Sequence, residues 1–306
     1  MVAGGSRVGS FQLPGSKVFR RWIMAAMEGQ AMSSPTQVVL GSVVSLWRYP
    51  VKSMMGEELN AADITERGLL GDRAYALIDP SNGKVASAKN PRKWGKLFDF
   101  KAIYVEPPRP GEKLPSVRIT LPDGTLLTSE QSDLDRILSN VLGRGVRLRA
   151  PAPKAPSLEE YWPDMDGLAH RETITDEAMP PETFFDLGVI HVLTTATLDR
   201  LRELYPQGRF EVRRFRPNIV VEVTSGEKNF VEDAWIGHTL AIGEEVRLGI
   251  ISPCPRCVMT TLPQGDLPSD PGILRTAAQH NQVNVGVYAG VLRGGTIHRG
   301  DPVRLA

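Results

Sequence analysis

Thr239-Leu240-Ala241-Ile242-Gly243-Glu244-Glu245-Val246-Arg247-Leu248-Gly249-Ile250 is the stretch that decides the fold class. Two short strand-like runs flank Glu244-Glu245, an acidic pair suited to a solvated turn. The same texture recurs on both sides. Downstream, residues 285–288 and 302–305 read as strands, and upstream so do residues 219–223. In the first half, residues 43–49 have β-branched and aromatic content and are halted by Pro50, which cannot donate to a ladder. Residues 73–79 run into the turn signal Pro80-Ser81-Asn82-Gly83, and Pro122-Asp123-Gly124 joins two further strands as a hairpin. Many short strands at close spacing predict a β-rich, mixed α/β chain built on a barrel or sandwich.

Helical periodicity is confined to two places. Leu134, Ile137, Leu138, Val141 and Leu142 follow the spacing of one buried face, and Gly143 is a natural C-terminal stop. Residues 197–204 carry Leu198, Leu201 and Leu204 and end before Pro206. The alternating residues 146–149 lead into the proline-rich run 151–156, a linker or long loop, and the acidic stretch 159–182 reads as an exposed lid or loop.

Composition sets bounds. A chain of 306 residues with 41% hydrophobic content suits two cores better than one, and the 29 glycines and 24 prolines fit many turns. A net charge of +1 argues against a nucleic-acid binder, which concentrates basic charge on one face. Two cysteines make no disulfide framework, which suits a reducing, cytoplasmic setting. Near the N-terminus, Trp22-Ile23-Met24-Ala25-Ala26-Met27 is far shorter than the ~20 residues that span a bilayer. The first 37 residues are therefore expected to be disordered or an over-extended start, with Met32 an alternative first residue.

Chemistry concentrates in Ser252-Pro253-Cys254-Pro255-Arg256-Cys257-Val258-Met259-Thr260-Thr261, which holds both cysteines. A thioredoxin-type dithiol belongs at a helix N-terminus after a strand, not between prolines in strand-like sequence. A structural zinc site needs four ligands, and His280 and His298 lie too far apart to supply the usual histidine pair. Two buried thiols acting as small hydrophobes remain possible. So does one thiolate on a metal whose other ligands belong to a cofactor. The chain has no phosphate-binding glycine loop, no His-Glu-x-x-His and no Gly-x-Ser-x-Gly.

Five blocks now stand together: Tyr49-Pro50-Val51-Lys52-Ser53, Gly71-Asp72-Arg73, Phe215-Arg216-Pro217-Asn218-Ile219, Arg256-Cys257 with Thr260-Thr261, and Gly300-Asp301-Pro302-Val303. Over roughly residues 40–306 the chain resembles the MOSC family, in particular its two-part members with an N-terminal MOSC β-barrel domain, among them the amidoxime-reducing components. The resemblance implies a MOSC β-barrel core over residues 156–306 and a smaller, barrel-like α+β domain over residues 38–155. It implies the molybdenum cofactor (molybdopterin), with Cys257 as the metal ligand and Cys254 in support. Lys52, Arg73, Arg216 and Arg256 fall where the family carries cofactor-anchoring cations, and Ser53 and Asn218 would add neutral hydrogen bonds.

By the same resemblance the reaction is oxygen-atom transfer, reducing N-hydroxylated compounds or N-oxides. The partners would be a small-molecule substrate and a separate electron donor of flavin, cytochrome or ferredoxin type, since no cysteine follows Cys257 to hold an iron-sulfur cluster. No nucleic acid or membrane partner and a monomeric state are expected. Two departures stand out: Thr195 replaces an acidic residue, and Ala88 occupies a position where arginine is common. A persulfide carried on Cys257 in sulfur transfer, or non-catalytic carriage of the cofactor, are the alternative readings.

Overall fold

The first strand, β1 (Val38–Arg48), begins earlier than its sequence suggests and ends where Pro50 stops it. The computed structural model describes residues 38–164 and 171–306, all within one compact unit. The expectation for residues 1–37 lies outside the described residues. After β1 come the short strands β2 (Glu57–Leu59), β3 (Ala61–Thr65), β4 (Gly68–Leu69) and β5 (Ala76–Ile78). A four-residue helix α1 (Pro91–Trp94) precedes the antiparallel sheet of β6 (Lys101–Tyr104), β7 (Val117–Thr120) and β8 (Leu126–Thr128). Helix α2 (Leu134–Leu142) then closes on Gly143, whose φ of 66° is the left-handed cap expected of glycine. Its stripe of Leu134 and Leu138 packs with Trp94, Leu97, Phe100, Ile119 and Leu127 into a core of its own.

Strand β9 (Arg147–Arg149) pairs with β5, and β10 (Ser157–Trp162) with β11 (Thr173–Ala178). Two parts of the acidic stretch expected to form an exposed lid or loop are thus paired antiparallel strands. The barrel follows in β12 (Ile190–Thr194), β13 (Ile219–Val223), β14 (Thr239–Ile242), β15 (Val246–Pro255), β16 (Asn284–Arg293) and, after β17 (Gly295–His298), β18 (Pro302–Leu305).

Seven strands close on themselves in the order β13-β12-β16-β15-β14-β18-β1, with β1 returning to β13. Closure removes the free strand edges. The expected boundary at residue 155 therefore does not separate the strands, because β1 completes the barrel that the second half builds. Inside, Val43, Leu46, Val192, Val221, Leu240, Leu248, Ile250, Val287 and Val303 form the core. Strand β12 is buried on both faces: Leu193 turns outward against α3 (Thr195–Leu204), α4 (Val212–Phe215) and α5 (Pro271–Asn281) through Leu198, Leu201, Phe215 and Ile273. Among the described residues no helix is long and apolar enough to cross a membrane.

Candidate functional site

The turns at the ends of these elements bring the expected residues together. Lys52 and Ser53 follow β1, Arg73 precedes β5, Arg216 follows α4, and Arg256-Cys257 follows β15. Ser53, Arg73 and Arg216 have φ of 62°, 48° and 53°, a region non-glycine residues seldom occupy. Such backbone persists only where surrounding contacts fix it. Here those contacts are visible. Asp72 accepts the Tyr49 amide (2.7 Å), the Arg73 guanidinium, and Asn218 Nδ2 (3.0 Å). The Arg216 guanidinium lies 4.1 Å from the Tyr49 ring centroid and that of Arg73 5.0 Å, so one aromatic ring carries two cations. Arg216 also donates to Met54 O (2.8 Å), and Arg73 to Arg216 O (3.3 Å).

Several sequence expectations acquire different roles. Lys52 is occupied: its Nζ donates to Asp186 Oδ1 (2.7 Å) and Phe184 O (2.8 Å). Asn218 is a latch between segments, donating to Asp72 and Trp47 O (3.3 Å) and accepting the His191 amide (3.1 Å). Ser53 Oγ accepts the Ala88 amide (3.1 Å). The hydroxyls of Thr260 and Thr261 bond carbonyls within their own turn. Arg256 meets Cys254 Sγ (2.7 Å) and Phe215 O (2.8 Å), so the fully buried Cys254 supports the arginine.

Three residues were missed from sequence. Lys89, beside Ala88, supplies a cation that the alanine cannot. It pairs with Glu160 of β10 (3.0 Å) and lies 3.9 Å from Asp186. Phe98, Met259 and Ala88 form a small cluster against which Cys257 packs, and the charges of Lys89 and Glu160 both act on the Cys257 thiol. Each partnership crosses 71 residues or more, so local spacing carries no trace of it.

Positive charge gathers here: Lys52, Lys89, Arg73, Arg216 and Arg256 stand with Asp72, Asp186 and Glu160. Burial, with the neighbouring Arg73 charge, lowers Arg216 to about 10. Burial opposes ionisation of Asp186, but Lys52 and Lys89 outweigh it and hold the carboxyl well below its usual range. Burial and the charge of Glu160 push the Cys257 thiol up to about 11.

Three polar atoms here are buried and lack a protein partner: Tyr49 Oη, Arg216 Nη2 and Arg256 Nε. An orphaned buried donor costs roughly 1–3 kcal/mol, so three of them on the segments around Cys257 mark a candidate place for a ligand's acceptors. The residues fit an anionic, phosphate-bearing group with a soft metal. Guanidinium donors stand free, and a partly exposed thiol is at hand. Among the described residues no group of three or more His, Cys, Asp or Glu could hold a metal, so a metal on Cys257 would need ligands from a cofactor.

A closed barrel whose loops gather buried cations beside a partly exposed thiol defines a class of β-barrel protein with a candidate cofactor site. The MOSC domain matches residues 183–304 and the MOSC N-terminal beta barrel domain residues 40–105. The chain belongs to the MOSC family. It is 25% identical over 293 residues to mitochondrial amidoxime reducing component 2 of Rattus norvegicus, covering 86% of this chain and 83% of that protein. To mitochondrial amidoxime-reducing component 1 of Homo sapiens it is 27% identical over 301 residues, covering 87% and 83%. To the molybdenum cofactor sulfurase of Oryza sativa subsp. japonica it is 24% identical over 274 residues, covering 80% of this chain but 31% of that protein.

Proposed function

We propose that this chain binds the molybdenum cofactor at the site formed by Tyr49, Arg216, Arg256 and Cys257 and reduces N-hydroxylated compounds or N-oxides. The observation that carries the reading is the pair of unpartnered guanidinium donors, Arg216 Nη2 and Arg256 Nε, buried on the segments that flank the thiol. When bound, the cofactor supplies two-electron oxygen-atom transfer. The protein's own residues do the rest. Arg73, Arg216 and Arg256 would hold the phosphate-bearing end, with Tyr49 beneath two of them, and Cys257 would bind the metal. Lys52 and Asp186 hold each other and so brace the site rather than face its contents. Lys89 and Glu160 set the charge beside the thiol.

The names of the mammalian relatives support a reductase of amidoxime type. The rice relative's name supports a sulfur-handling reading, in which Cys257 carries a persulfide. That role requires a thiolate at neutral pH, and a thiol raised to about 11 by burial is protonated there. Coordination to a metal deprotonates a thiol outright, so the same burial is compatible with a ligand role. The test is turnover: cofactor-loaded, chemically reduced protein should convert a benzamidoxime-type substrate to the amidine with release of water. Loaded protein that leaves every N-hydroxylated and N-oxide substrate unchanged overturns the reductase reading.

A further inference from the structure

Arg214 is a fully buried guanidinium whose four hydrogen bonds all go to backbone carbonyls. Its Nε donates to Arg209 O (2.9 Å), Nη1 to Thr260 O and Leu262 O (3.1 Å each), and Nη2 to Pro268 O (2.8 Å). Three of those carbonyls lie in the stretch that directly follows Cys257. Arg214 itself sits on α4, two residues before Arg216. A return link runs the other way, from Arg256 Nη2 to Phe215 O (2.8 Å). Outside, Arg209 and Arg213 both reach Asp266 (2.8 and 2.5 Å), so the same two segments are joined again at the surface.

Burying a cation is costly, and an apolar replacement would spare that cost only by leaving the carbonyls of Arg209, Thr260, Leu262 and Pro268 without this donor. What the guanidinium adds is geometry. Its planar fork holds three carbonyls of an irregular segment in fixed directions, which no apolar residue does. We propose that Arg214 is a positioning residue, locking the segment after Cys257 to the helix before Arg216 and so fixing thiol and anion site relative to each other. The proposal rests on Cys257 being the site's working thiol.

The chain holds two cysteines, Cys254 buried and Cys257 partly exposed, which makes an internal ruler. Native metal-free protein is treated with iodoacetamide, and the two peptides are followed by mass spectrometry in wild type, Arg214→Met and Arg214→Lys. In Arg214→Met, alkylation of Cys257 should rise about tenfold while Cys254 stays protected, because local opening is freed without global unfolding. Arg214→Lys, which keeps the charge but loses the fork, should fall between. Unchanged labelling of Cys257, or equal acceleration at both cysteines, overturns the proposal, since the residue would then act on nothing or on overall stability alone. Should Arg214→Met not fold, Arg214→Lys carries the test by the same two outcomes. No molybdenum enters the assay, so its failure leaves the cofactor reading untouched.

Discussion

Tyr49 illustrates how one side chain organises a site it need not react in. Its ring lies against two guanidinium groups at 4.1 and 5.0 Å, and its hydroxyl lacks a protein partner. Each cation–π contact in a desolvated setting is worth about 0.5–2 kcal/mol. Tyr49→Phe should therefore retain most of the bound molybdenum after gel filtration, whereas Tyr49→Leu should lose at least about nine-tenths of it; equal retention in the two would show that the ring is not the support. His191 gives a pH prediction. Burial, with the charge of Arg256, lowers it to about 3, so the folded protein keeps it neutral where the unfolded chain protonates below about 6.5. Its contribution to stability is complete above the unfolded value and is lost as pH falls toward 3. Urea midpoints measured from pH 7 to pH 4 should decline, and the decline should be shallower in His191→Gln. Lys52, Arg73, Arg216 and Arg256 were legible because each sits in a recognisable block. Lys89, Asp186 and Glu160 were not, because what defines them is a pairing across the fold.

At the scale of elements, β1 shows where sequence reading falls short. Its start at Val38 escapes propensity because tertiary pairing extends the strand: Val38 faces Leu305, while Gly41 faces both Val223 and Val303. A Cβ at Gly41 would lie 1.9 Å from Glu222 O, so only glycine allows β13 to close against β1 there. Gly41→Val should lower the thermal midpoint by well over 10 °C or prevent soluble expression, as expected when a backbone contact is forced apart; a midpoint within a few degrees of wild type would show that the seam is not needed. Helix α2 and the β7–β8 hairpin were readable because apolar period, Asp-Gly turn and glycine stop agree locally. The β10–β11 hairpin was not. Its acidic composition reads as solvated surface, yet Glu160 turns inward to Lys89, and Glu159 meets Lys93 and Asn90.

The described residues hold a closed barrel and a second, β-rich core, with β1 serving both the barrel and the cation-bearing loop that follows it. The seven-strand closure sets the blocks that follow β1, α4 and β15 beside one another, whereas Gly300 and Asp301 bond to Val43 in the middle of β1. The class of fold could be read from strand spacing, but the sharing of β1 could not, because register and closure are long-range properties. Retention of the molybdenum cofactor through Cys257 is the step on which the proposed function depends. It is tested most directly by molybdenum analysis, with pterin fluorescence after oxidative release, on protein purified from a host that makes the cofactor, alongside Cys257→Ala and Cys254→Ala. Near-stoichiometric metal and pterin are expected in wild type, with metal lost in Cys257→Ala and largely kept in Cys254→Ala. Metal-free wild type, or the same metal content in both variants, would contradict it.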